Sequence, residues 1–154
     1  MKMMAYGVIF PAMAGLLMVA GACGNPNTGM HNHRLKPCPD SPNCVSSFET
    51  APSHYVAPLS YKGSKAGARQ RLLSILQATK RVKVVTLEEN YIHAEFTSLI
   101  FRFVDDVEFY MDEKASVIHV RSASRVGYSD LGANRKRVEA IRRQFAENSV
   151  HTSK

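Results

Sequence analysis

Three groups of residues in this sequence have types and spacings that could do chemistry. Asp105 and Asp106 stand side by side in "FVDDVEF". Paired carboxylates can move a proton or bind a cation. The segment "RSASRVGYSDLGAN" gathers Arg121, Arg125, Tyr128, Asp130 and Asn134, with Arg135 directly after it. Guanidinium groups and the free amides of a helix start suit phosphate or carboxylate. Finally, "CPDSPNC" holds Cys38 and Cys44 with five residues between them.

Each group also has a plainer reading. Without further clustered carboxylates, Asp105 and Asp106 fit a turn before a strand that pairs with nearby arginines. For the late segment, the favoured reading is an ion-pair network joining Asp105, Asp106 and Asp130 to Arg121, Arg125 and Arg135. Strand order brings Asp106 close to Arg121, with Arg125 as a second candidate partner. Gly127 and Gly132 let the backbone turn there. "GYSDLG" lacks the Gly-x-Ser-x-Gly spacing of a nucleophile elbow, so Ser129 is not expected to attack anything. His93 and His119 have no ligand spacing and fit surface or core-edge positions. No metal and no cofactor are expected.

Zinc sites place cysteines two to four residues apart, usually with a second pair. A thioredoxin-type redox pair has two intervening residues at a helix start. Neither fits Cys38 and Cys44 as well as a disulfide-stapled loop does, with Pro39 and Pro42 stiffening it. Closing so short a loop is worth about 2 kcal/mol by chain entropy.

The N-terminus sets the compartment. Lys2 precedes an almost wholly apolar run from Met3 to Ala20, and the small residues of "VAGAC" follow. That is the order of an export signal over residues 1–22. "VAGAC" resembles a bacterial lipobox, with Ala20 where leucine is usual; the alternative is ordinary cleavage near Ala22. Diacylation of Cys23 would give a two-chain membrane anchor. Gly24 is not the aspartate of inner-membrane retention, which favours the outer membrane. With Cys23 lipidated, Cys38 and Cys44 remain as an even pair in an oxidising compartment.

Loss of residues 1–22 removes Lys2 and no acid, so the formal charge falls from +7 to +6. Outside the cytoplasm, such charge points to anionic headgroups or acidic cell-wall polymers before nucleic acid. No aromatic-rich nucleic-acid motif accompanies it. A solvated basic helix face is the simpler account.

These residues need elements to hold them. Residues 23–35 have no hydrophobic period and are expected to form a flexible tether. A single domain is expected over 36–148, with a tail over 149–154. Ala68, Leu72, Ile75 and Leu76 share one face of a helix over 64–79, capped by Ser64. β-rich composition predicts a strand over 81–87, period-two alternation predicts strands over 91–97 and 107–112, and the turn at "EKA" leads into a strand over 116–122. Leu99 to Val104 is apolar but out of phase, which predicts a bulge near Ser98 or a separate short strand. Val138, Ile141 and Phe145 define a last helix over 133–147, with Asp130 near its positive end. Helix, about four antiparallel strands, helix is an α+β order: two layers with one wet sheet face.

"PCPDSPNCVSS", "FVDDVEF" and "RSASRVGYSDLGANRKRVEAIR" together resemble the domain-of-unknown-function family numbered 1499, over about Leu35 to Phe145. The resemblance implies a small single domain, often in exported or membrane-attached bacterial proteins, and supplies no catalytic residue. The expected function is a non-enzymatic binding or assembly module, lipid-anchored in the bacterial cell envelope and facing the periplasm. Its expected partners are the membrane and an anionic envelope ligand or another protein. The alternative is an envelope enzyme acting on an anionic substrate through the Arg121–Arg135 segment, with Asp106 or Asp130 as acid or base.

Overall fold

Alternating strands put every second side chain on the same side of a sheet. In this protein both sides become largely buried over the central strands. The computed structural model describes residues 27–150; the export segment 1–22 and Cys23 lie outside the described residues. The elements are β1 (Met30–His31), β2 (Arg34–Leu35), β3 (Cys44–Ser46), β4 (Leu59–Ser60), α1 (Lys65–Ala78), β5 (Val82–Leu87), β6 (Tyr91–Thr97), β7 (Val104–Asp112), β8 (Val117–Ser124) and α2 (Ala133–Val150).

The α+β class and the helix–strands–helix order hold. The sheet is wider than the four strands expected, with six strands in the order β3-β8-β7-β6-β5 and β4 also on β8. β3 and β4 are too short to show alternation. They occupy the same edge of β8, opposite Arg121–Ala123 and Val117–Ile118 respectively. All pairings between these strands are antiparallel.

One face carries the apolar core. Ile92 and Ala94 of β6, Val107 and Phe109 of β7, and Ile118 and Val120 of β8 are all fully buried there. α1 lays Ala68, Leu72, Ile75 and Leu76 on this face, and α2 adds Val138, Ile141 and Phe145. Ser64 caps α1 as expected, its side chain accepting from the Gly67 amide. α2 runs to Val150, past the expected start of the tail. Its Arg135 donates to the carbonyls of Tyr55, Pro52 and Ser53, and Arg142 to those of Ala57 and Pro58. Those bonds pin the irregular 52–58 segment beside the helix.

The opposite face is buried across much of β6, β7 and β8 and stays wet at β5, where Lys83 is exposed. A β1–β2 hairpin lies over it, inside the stretch expected to be a tether. Asn32 and His33 between the two strands both have positive φ, 49° and 58°. A two-residue hairpin loop of the mirror-image type demands that, and Asn tolerates it. Leu35 is buried beneath the hairpin. The sequence hides this element because its strands are two residues long and mostly polar.

The bridge Cys38–Cys44 then ties the end of the hairpin segment to β3, with a Cα–Cα distance of 5.6 Å. Cys44 is buried. In the native protein both sulfurs should therefore resist thiol reagents until a reductant is added. Mass spectrometry of alkylated, unreduced protein should find neither residue modified. Reducing the bridge should lower stability by about 2 kcal/mol or somewhat less, given the two prolines in the loop. Two free thiols in protein purified from an oxidising compartment would contradict the bridge.

Candidate functional site

The buried second face is where most of the chemistry-bearing residues meet. Asp105 and Asp106 lie inside β7 rather than in a turn before it. Neighbours in a strand point to opposite faces. The two acids are thus adjacent in sequence and separated by the sheet, so they cannot share a proton or a cation. Asp105 faces α2 and pairs with Arg137. Asp106 faces the hairpin side.

Asp106 is 3% exposed, and its carboxylate is fully engaged. Arg125 grips it with two bonds, Nε to Oδ2 at 2.9 Å and Nη2 to Oδ1 at 2.7 Å. His93 Nε2 reaches Oδ1 at 2.7 Å. Burial pushes this carboxyl up, but the hydrogen bonds from Arg125 and His93 outweigh it and hold it well below the usual carboxylate range. The Asp106 bonds, with help from Glu95, raise Arg125 in turn. Arg125 also bridges to Glu95 on β6.

Arg121 does not pair with Asp106, as strand order suggested. It pairs with Glu108, Nη1 to Oε2 at 2.8 Å. The register explains the exchange: Glu108 and Arg121 are direct cross-strand partners, whereas Asp106 stands opposite Ala123. Glu108 is fully buried. Its other oxygen, Oε1, accepts from the Tyr91 hydroxyl at 2.8 Å and from the Gly29 amide at 2.6 Å. Gly29 sits at φ 109°, a conformation other residues rarely adopt, and so brings its amide to the carboxylate. Burial, followed by the Glu108 charge and hydrogen bond, pushes the Tyr91 hydroxyl far above its ordinary value.

The remaining site residues do other work. Asp130 is not in an ion pair with arginine. Its oxygens accept from the amides of Gly132 and Asn134 and cap α2. Asn134 is fully buried. It accepts from Ser122 Oγ at 2.7 Å and donates to the Asn43 carbonyl at 2.8 Å, tying α2, β8 and β3 together. Arg135 binds carbonyls of the 52–58 segment, as above. Tyr128 is 76% exposed on the loop before α2. Glu108, His93, Tyr91, Glu95 and Arg137 were missed as site residues. Alternation placed the first four on the face taken to be wet, and His93 is in fact buried.

A cleft of about 400 Å³ opens where the hairpin segment meets the sheet, lined by Asn27, Lys36, Cys38, Asp106, Arg121 and Arg125 among others. Arg121 Nε is buried beside it with no hydrogen-bond partner. Chemically the cluster is close to balanced. Arg121, Arg125 and Arg137 meet Glu108, Asp106, Glu95 and Asp105. An incoming anion would have to compete with the carboxylates that already hold Arg121 and Arg125. A general acid or base would have to break the Arg125 clamp on Asp106. The arrangement is built to hold charge in place. Among the described residues no three His, Cys, Asp or Glu side chains gather as a metal site.

Removing one partner of a buried pair strands the other charge. Glu108→Ala or Arg121→Ala should each cost about 3–5 kcal/mol in urea unfolding. The joint replacement Glu108→Leu with Arg121→Met should recover most of that loss. If the pair is not structural, each single variant will melt like the parent. The Asp106 contribution has a defined pH sign. Its folded-state value is depressed, so its stabilisation is complete above the ordinary carboxyl range near pH ~4 and drains away as pH falls toward the folded value. Asp106→Asn should therefore be less stable at neutral pH and lose less on acidification, as followed by thermal melts.

No curated protein matches the chain. A family model described as a protein of unknown function, DUF1499, matches residues 34–145. The match begins at β2 and ends within α2, so it takes in the whole six-stranded sheet and the ion-pair network. It covers well over half of the chain, which therefore belongs to the DUF1499 family.

Proposed function

We propose that this protein is an exported, lipid-anchored, non-enzymatic binding module of the bacterial cell envelope. The observation that carries the non-enzymatic part is the state of its acids. Asp106 is clamped by Arg125 and His93, Glu108 by Arg121, Tyr91 and Gly29, and Asp130 by the amides that start α2. A catalytic acid or base needs a proton path to a substrate in a concave site and a value near the working pH. Asp106 is driven the other way. Rigid cross-linking of this kind suits a scaffold that presents its loops.

Export is supported by the residues themselves. The charged, apolar, small-residue order over 1–22 ends at Cys23, and the cysteines beyond it are joined in a bridge that an oxidising compartment favours. Among the described residues no helix is long and apolar enough to cross a membrane. Attachment in this reading rests on the lipid at Cys23.

Cys23→Ser is the direct test. The variant should leave the membrane fraction for the soluble one, or accumulate as unprocessed precursor on gels. Normal cleavage with unchanged membrane attachment would refute the anchor.

A further inference from the structure

Hairpin loops at the two ends of the sheet have opposite characters. At one end, the turns after β5 and β7 are charged, with Glu88, Glu89, Glu113 and Lys114, with Asp112 closing β7 and with Lys65 of α1 bridging Glu89 and Glu113. At the other end, the β6–β7 loop reads "SLIFRF" and contains no acid. This is the stretch expected as a bulge or extra strand; it is neither. Its apolar residues face outward instead: Leu99 is 68% exposed, Ile100 78% and Phe101 73%, and Phe103 is also exposed. The loop is closed at its base by Ser98 and Phe103, through Ser98 N to the Phe103 carbonyl at 2.8 Å and Phe103 N to Ser98 Oγ at 2.9 Å. The Phe101 and Phe103 rings stack at 5.5 Å. The β8–α2 loop emerges beside it, since Asp105 at the start of β7 pairs with Ser124 at the end of β8. That loop adds Tyr128 and Leu131, 76% and 88% exposed.

Exposed apolar residues scattered singly are ordinary, but a cluster of large ones on adjacent loops marks a contact surface. Cations surround this one. Arg102 sits within the loop, and exposed Lys80 and Arg81 lie at its base, where Thr97 N donates to the Arg81 carbonyl. The nearest acid along the β8–α2 loop, Asp130, has its oxygens on the amides of α2. Aromatic and aliphatic tips ringed by Lys and Arg match the boundary between anionic headgroups and acyl chains.

The start of the described chain adds an independent constraint. Asn27 lines the cleft beside Ser124 and Arg125, at this same end of the sheet. Cys23 is four residues earlier in the sequence. Four residues span at most ~14 Å when fully extended. A lipid on Cys23 would thus hold this end of the domain against the bilayer, not the acidic end.

We propose that the 98–103 loop, flanked by the 126–131 loop, inserts into the headgroup region of an anionic phospholipid bilayer and fixes the orientation of the domain on it. The proposal rests on the anchored reading given above for the placement of the bilayer, and on the two loops for the contact itself.

The chain contains no tryptophan, so a single one reports its own surroundings. Full-length protein carrying Phe101→Trp would be purified and reconstituted in vesicles of phosphatidylethanolamine and phosphatidylglycerol with brominated acyl chains. Leu87→Trp, at the exposed acidic end, is the comparison. Phe101→Trp emission should shift to the blue and lose most of its intensity to bromine, while Leu87→Trp stays solvent-like. Replacing phosphatidylglycerol by phosphatidylcholine should weaken the quenching severalfold. Vesicle-bound protein whose Phe101→Trp signal matches Leu87→Trp would overturn the proposal. So would a blue shift that appears without vesicles and grows with protein concentration, which would assign the loops to a second copy of this chain. The mass of the N-terminal peptide from the same preparation scores the anchor separately. Quenching with an unlipidated Cys23 would keep the docking surface and discard the anchor.

Discussion

A carboxylate with no exposure to water must find its solvation inside the protein, and Glu108 organises much of this fold by that need. It takes Arg121 from β8, Tyr91 from β6 and the Gly29 amide from the N-terminal hairpin segment. Three separate parts of the chain are fixed by one side chain. The hairpin is the least self-sufficient of them, with two-residue strands and a single buried apolar residue, Leu35. Its amide completes the shell around Glu108, and Glu108 in turn holds the hairpin down. Burying these charges is costly, so their value lies in specifying one arrangement rather than in adding net stability.

The same sheet therefore has two interiors of different chemistry. Toward the helices it is mainly Val, Ile, Phe and Leu, with Asp105, Ser122 and Asn134 as buried polar residues held by hydrogen bonds to α2 and within it. Toward the hairpin it is Tyr91, His93, Asp106, Glu108 and Arg121, all buried. Asp105 and Asp106 show how sharply the pleat divides them, since one joins α2 through Arg137 and the other joins the loop after β8 and strand β6 through Arg125 and His93. Arg137 also lies 5.1 Å over the Phe96 ring, so even the ion pair on the helix side rests on apolar packing.

Much of the helix side was legible in the sequence. Three-and-four spacing located α1 and α2, alternation located β6 and β7, β-rich composition located β5, a turn signal located β8, and Ser64 marked a cap, because each is a local pattern. The hairpin side was not. A row of Tyr, His, Glu and Arg at alternate positions carries the same signature whether water or a second layer covers it. Only the β1–β2 hairpin decides the matter, and Met30 to Leu35 has no periodicity to announce it. The partner of Arg121 was misassigned for a related reason. Knowing which strand ends adjoin does not give the register, and a shift of two residues exchanges Asp106 for Glu108. Leu99 to Phe103 misled in the opposite sense, since apolar residues suggest a strand but here form the tip between two.

The bridge between Cys38 and Cys44 also sets how the domain bears force. Cys44 belongs to β3, which is hydrogen-bonded along β8 at the edge of the six-stranded sheet. A pull applied on the N-terminal side of Asn27 would first peel the hairpin from the sheet, where few bonds resist at a time. The peeling would stop at Cys38, after about 40 Å of extended chain. Beyond that point the load passes through a covalent link into β3, by-passing the 39–43 loop and falling on the bonds between β3 and β8. The hairpin thus acts as a shock absorber of fixed travel, and the disulfide as its end-stop.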